Sequence, residues 1–455
     1  MLFLTKKPLF CAIILLVFAS IEGRSQALDS YIKEGLVNNI VLQQKKIALE
    51  QAMYSLKAAN SFFLPSTNFT GSYSTGAGGR TISLPIGDLL NPVYSTLNTL
   101  TESNEFPQVE NVEESFFPHD FYDLRVRTTL PLVNHELIYN KNIKSMERQL
   151  QAHEVMVYKR ELVKNIKSAY FNYLSALSAQ EVYENAYLLV TEHVRVNESL
   201  LREGKLLPAE LLRAQSEAEK VKSQVNSAEN QVVNARYYFN FLLNKDLGAP
   251  IEVENLEEAD LAEVFLSSDN TGIQLREELK MVDLGSNISE SALKMNKSFM
   301  VPKVNAFLDL GMQNSNWKFD TDSRYYLLGI QIDIPIFNGG RNNYAIAQSA
   351  LELQKSDLSK SNLQKQLELS ATVAANELST VFQNYQSALS QLKSAQSYFK
   401  LIDRGYREGM HSQIQLLDAR TQFTSAQLQV NISKYQVMLA WTNLERETAS
   451  YSITY

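Results

Sequence analysis

The chain has 455 residues, 45% hydrophobic and 20% charged, with a formal net charge of −7 and a single cysteine. That length allows two or three ordinary domains. The acidic balance argues against nucleic acid as a partner, and one cysteine excludes a disulfide scaffold.

Lys6 and Lys7 precede an apolar run from Leu9 to Ala19 and a small-residue exit at Ser25-Gln26-Ala27. The run is too short to span a bilayer, so residues 1–27 are expected to be a secretory signal peptide cleaved near Ala27. Cys11 lies inside this leader, which leaves the mature chain without a thiol. A lipoprotein cysteine would follow the apolar run, so no lipid anchor is expected. No later segment carries 18 uncharged apolar residues, so no transmembrane helix is expected.

Residues 28–62 read as one helix, with Leu36, Ile40, Leu42, Ile47, Leu49 and Leu56 as apolar positions and Leu64-Pro65 as its stop. A strand at 64–74 sets Phe69, Gly71 and Tyr73 against Asn68, Thr70 and Ser72. Residues 75–119 are polar and rich in Gly, Pro, Asn and Ser, a loop long enough to be functional. The strand at 121–131 alternates cleanly: Tyr122, Leu124, Val126, Thr128 and Leu130 oppose Asp123, Arg125, Arg127 and Thr129.

Helical sequence then runs through 135–243. Residues 135–202 contain neither Pro nor Gly, and at 1.5 Å per residue such a helix would be roughly 100 Å long. Apolar steps of three and four make the narrow seam of a coiled coil. Residues 245–270, with Pro250 and the acidic stretch from Glu252 to Asp260, read as a linking segment. Strands return at 303–312 (Val304, Ala306, Leu308 and Leu310 against Asn305 and Asp309) and at 325–336 (Tyr326, Leu328, Ile330, Ile332 and Ile334 against Gln331 and Asp333). Helices follow over 338–448, and 449–455 is a short tail.

The order is therefore written twice, as repeats 28–244 and 271–448. RVRTTLPLVN at 125–134 answers GIQIDIPIFN at 329–338. Arg202-Glu203-Gly204 answers Arg407-Glu408-Gly409, and Leu211-Leu212 answers Leu416-Leu417. Such a repeat decides the architecture before any single residue does. The strands have the length of tilted membrane-spanning β-strands, and Phe121, Tyr122, Tyr325 and Tyr326 stand where an aromatic girdle would. A half-buried soluble sheet has the same alternation and stays open. In a membrane, four strands cannot close a barrel: two chains would give eight strands, three would give twelve.

The doubled order of strand, loop, strand, long helix, REG turn and return helix, with LPLVN and IPIFN before the helices, resembles the TolC-like outer-membrane efflux proteins over about residues 28–448. The resemblance implies a mixed, mainly α fold. Three protomers would form a 12-strand outer-membrane β-barrel continuous with a 12-helix periplasmic α-barrel, and 75–119 would be an extracellular loop. It implies a passive exit duct in the outer membrane of a Gram-negative bacterium, in a tripartite efflux or type I secretion system. The partners would be two further copies of the chain, outer-membrane lipid, a periplasmic adaptor and an inner-membrane pump of RND or ABC type.

By the same resemblance, Gly204 and Gly409 would be the tips where the adaptor docks. Asp418 would line the entrance constriction, with Gln415 where a second aspartate is usual. Glu210 and Tyr406 match positions that tie neighbouring coiled coils closed. His411 stands where that lock uses Arg, which implies a weaker, pH-sensitive lock.

His119, His135, His153, His193 and His411 are scattered without an HExxH pattern, so no metal site is expected. TGAGGR and NGGR do not continue to GK[ST], and no GxSxG is present. No cofactor or catalysis is expected. The rival reading is a trimeric coiled-coil adhesive or structural envelope protein, which does not account for two helical reversals and two strand pairs per chain.

Overall fold

A computed structural model describes residues 26–115, 120–254, 261, 274–315 and 317–453. The leader with Cys11, His119 and most of the linking segment lie outside the described residues. The chain divides into two compact units: one comprises 54–145 and 290–351, the other the residues up to 53, 146–289 and 352 onward.

The first unit is built on an antiparallel four-stranded sheet. Its strands are β1 (Ser66–Ser74), β4 (Phe121–Val133), β5 (Lys303–Ser315) and β6 (Arg324–Asp333), in the order β1-β4-β5-β6. The two repeats meet at the β4–β5 pair, where Val126 stands opposite Leu310 and Arg127 opposite Asp309. One face is apolar and open: Phe69 is 71% exposed, Tyr326 78%, Leu328 71%, Ile330 66% and Ile332 61%.

The other face is polar and knitted together. Arg127 Nε and Nη2 donate to the two carboxylate oxygens of Asp309 at 2.7 and 2.6 Å, and the guanidinium lies 5.0 Å from the Phe307 ring centroid. Tyr325 donates its hydroxyl to Asp123 at 2.9 Å. Glycine makes room here: a Cβ at Gly329 would meet the Phe307 ring at 2.6 Å, and one at Gly311 the Tyr325 ring at 2.8 Å. Where β4 meets the β5–β6 connection, Trp317 stacks on Tyr73 and Tyr122, and Tyr122 donates its hydroxyl to the Lys318 carbonyl.

Several elements depart from the sequence reading. Inside 75–119 the chain forms β2 (Thr81–Leu84), helix α3 (Ile86–Leu100) and β3 (Val112–Ser115), with β2 and β3 paired antiparallel. Asn91 and Asn98 fasten α3 to the following segment, bonding the backbone of Val109 and Phe106. The last predicted strand ends at Asp333, because Pro335 has no N–H to continue a ladder. Ile334 therefore falls outside it.

The 28–62 helix is two helices, α1 (Gln26–Asn38) and α2 (Ile40–Ser61). Asn39 divides them: its Oδ1 accepts the Leu42 N–H at 3.0 Å as an N-cap, while its Nδ2 donates to the Leu242 carbonyl at 3.0 Å.

The helical unit is organised by α4 (His135–Arg202), α5 (Pro208–Leu242), α7 (Arg341–Arg407) and α8 (Gln413–Thr448). A further helix, α6 (Glu277–Lys297), precedes β5 as α1 and α2 precede β1, and the sequence reading passed over it. The core joins Ile32, Leu36 and Leu42 to Leu162, Ile166 and Tyr170 of α4, Phe239 of α5, Leu378 of α7 and Val437 of α8. Gly35 sits so close to α4 that a Cβ would lie 2.4 Å from Ile166 Cδ1. Satellite clusters hold the pairs farther along: Ala186, Val190 and Val221, then Ile402, Leu416 and Ala419. Among the described residues, no helix is long and apolar enough to cross a membrane.

Candidate functional site

Both reversals have the same backbone solution. Gly204 (φ +69°) follows α4 and Gly409 (φ +78°) follows α7. In the first, Gly204 N–H bonds Leu201 O at 3.0 Å and Lys205 N–H bonds Leu200 O at 2.9 Å. In the second, Gly409 N–H bonds Tyr406 O at 3.0 Å and Met410 N–H bonds Gly405 O at 2.8 Å. These are Schellman motifs, which satisfy the last helical carbonyls and need a residue without a Cβ penalty at positive φ.

The return helices start differently. α5 has Leu207 as N-cap with no side-chain bond, and Pro208 supplies the first-turn geometry. α8 begins with a capping box: Ser412 Oγ accepts the Gln415 N–H, and Gln415 Oε1 accepts the Ser412 N–H at 2.9 Å. His411 Nδ1 lies 3.3 Å from the same Gln415 Oε1. The His411 ring also packs on Gly405, where a Cβ would come within 2.3 Å of its Cδ2. Gln415, expected at the entrance constriction, thus has its amide turned back on the helix cap. Asp418, one turn on, is exposed and accepts the Gln422 amide at 2.8 Å.

Within the chain, Tyr406 is not hydrogen-bonded to Glu210. Its hydroxyl donates to Asn197 Oδ1 at 3.4 Å, and its ring meets His193 edge-on at 5.6 Å. Glu210 takes part through its backbone carbonyl, which accepts the Gln413 amide at 2.9 Å. Burial pushes the Tyr406 phenol up; the Glu210 carboxylate adds to this and Arg420 opposes it. His193, one turn before the fully buried Asn197, is pulled down to about 4 by burial and by the charge of Arg420, against Asp403. Burial likewise lowers Arg420.

Sequence reasoning missed His193, Asn197 and Arg420. The i, i+4 spacing of His193 and Asn197 placed them on one helical face, but only the packing of α4 against α7 and α8 gives that face a partner. Among the described residues, no group of His, Cys, Asp or Glu could hold a metal ion.

The paired strand-and-hairpin repeat, with a sheet open on its apolar face, is the protomer fold of TolC-like outer-membrane channels. Residues 273–449, within the second repeat, match the family described as outer membrane efflux protein.

The chain is similar to the alkaline protease secretion protein AprF of Pseudomonas aeruginosa: 21% identical over 347 residues, covering 72% of this chain and 69% of AprF. Its fold is similar to the CmeC outer membrane channel of Campylobacter jejuni (TM-score 0.74, 16% identity, 93% of this chain and 85% of the other). It is equally similar to the outer membrane protein VceC of Vibrio cholerae (TM-score 0.74, 13% identity, 92% and 95%).

Proposed function

We propose that this chain is a passive exit duct of the outer membrane, formed by three copies and serving an adaptor and an inner-membrane pump of RND or ABC type. The single observation that carries the reading is the sheet. It has two free edges, β1 and β6, and one exposed apolar face on which Tyr326, Leu328, Ile330 and Ile332 alternate with the polar positions. An edge left unpaired in hydrocarbon costs several kcal/mol per group, so pairing β6 of one copy with β1 of the next removes both problems at once. Three copies give twelve strands, with Arg125, Arg127, Asp309 and Asp333 on the lumen side, where polar residues belong.

The adaptor would meet the turns at Gly204 and Gly409, and cargo would pass the exposed carboxylates of Asp418. Energy for transport comes from the pump. The AprF likeness favours a secretion or efflux setting, and nothing in the fold favours the fibre reading.

Purified full-length protein in planar bilayers tests the proposal. The expected result is stepwise conductance with cation preference, weakened by Asp418→Asn. A trimer that never conducts, under any applied voltage, overturns the duct reading.

A further inference from the structure

A cleft of about 110 Å³ opens between α4, α5 and α8, lined by Glu217, Lys220, Gln224, Arg420, Thr424 and Ser425 among others. Arg420 is the anomaly. The residue is only 7% exposed, yet its Nε and Nη1 have no hydrogen-bond partner. An unpaired buried guanidinium is costly, and proteins normally match one with a carboxylate or another anion.

The nearby carboxylates act on Arg420 by charge, but each is paired with another cation: Glu217 lies 3.5 Å from Lys220, and Asp403 lies 2.9 Å from Arg407. On the other elements, His193 of α4 is held neutral by burial, and Tyr406 of α7 is a phenol pushed up by burial. Neither supplies a negative charge. In the cleft lining itself the cations are Arg420 and Lys220 and the carboxylate is Glu217; Asp403 acts on Arg420 from outside that lining, where Arg407 pairs with it. The remaining polar lining is amide and hydroxyl, able to donate hydrogen bonds.

We propose that this cleft binds a small inorganic anion, of phosphate or halide size, which supplies the counter-charge that Arg420 lacks. The volume holds several waters or one tetrahedral oxyanion. Lys220 is 60% exposed at its side chain and marks the way in from solvent. The anion would join α8 to α5 at Arg420, two residues beyond Asp418, so ion binding would stiffen the return helix that follows the second turn.

The test uses the full-length protein in detergent and follows thermal unfolding. Sodium phosphate is titrated at constant ionic strength against sodium gluconate, whose anion is too large for the cleft. The expected result is a midpoint that rises with phosphate and levels off, because a ligand bound only by the folded state stabilises it. Arg420→Met, close in volume, should lose that rise and unfold no lower than wild type in gluconate, since it removes an unpaired buried charge. Glu217→Gln removes the competing carboxylate and should move the half-maximal phosphate concentration down by about fivefold.

Equal wild-type midpoints in phosphate and gluconate overturn the proposal, since the counter-charge then comes from protein. The full phosphate rise persisting in Arg420→Met overturns it as well, because the anion then binds elsewhere.

Discussion

A network of part-buried ion pairs sits where α6 and α8 meet α4. Arg160 grips Glu277 with two bonds, at 2.7 and 2.9 Å. Arg276 bonds Glu278 and Glu447, and Arg446 bonds Glu161 and Glu278. Arg276 itself is 3% exposed. Burial alone would raise the Glu278 carboxyl, but its bond to Arg276 and the charge of Arg446 prevail and hold it at about 2, against an ordinary 4.5.

A carboxyl lowered by folding stabilises above its unfolded value and loses that contribution as pH falls through the folded one. Glu278→Gln should therefore unfold more easily than wild type at pH 6, by on the order of 2 kcal/mol. The gap should narrow between pH 4.5 and 2. Parallel denaturation curves across that range would contradict the assignment of this network to Glu278.

At the scale of elements, the two turns were legible and their caps were not. Glycine after a long run free of Gly and Pro announces a reversal, and both reversals fall at the glycines expected, Gly204 and Gly409. The break at Asn39 was hidden because the group that fixes it, the Leu242 carbonyl, lies 203 residues away in sequence. Helix α6 was hidden by a polar, uneven stretch before it. Helix α3 reads as loop in the sequence because Pro92 sits inside it and its anchors are side-chain amides rather than a core. Arg420 was invisible for a like reason: burial is a property of three packed helices and not of a sequence window.

The caps predict an asymmetry between the turns. Ser412→Ala should weaken the start of α8 by about 1 kcal/mol, and Leu207→Ser should strengthen the start of α5 by a similar amount. The second change completes a box with Glu210, which already stands at the third helical position. Amide hydrogen exchange in the first turn of each return helix reads both changes directly. Exchange unaltered at 413–416 in Ser412→Ala would show that packing and not the cap holds that turn.

For the whole molecule, the decisive property is which face of the sheet meets lipid. Ile330 and Gln331 are neighbours in sequence on opposite faces of β6, both exposed in the protomer. If three copies close the sheet in the outer membrane, the first faces hydrocarbon and the second faces water in the lumen. Arginine at mid-depth on a lipid face costs about 2–4 kcal/mol, whereas lumen positions tolerate charge.

Ile330→Arg should therefore reduce the amount of assembled oligomer recovered from outer membranes several-fold. Gln331→Arg should leave assembly intact and change only ion preference. A soluble half-buried sheet would also suffer from Ile330→Arg if that face were covered by protein, but it would give no membrane-extractable oligomer in the wild type. The pair of variants with the wild-type fractionation thus separates the two origins of the alternation. Equal assembly of both variants would mean that the apolar face of β6 meets neither lipid nor protein, and the barrel would have to be closed in another way.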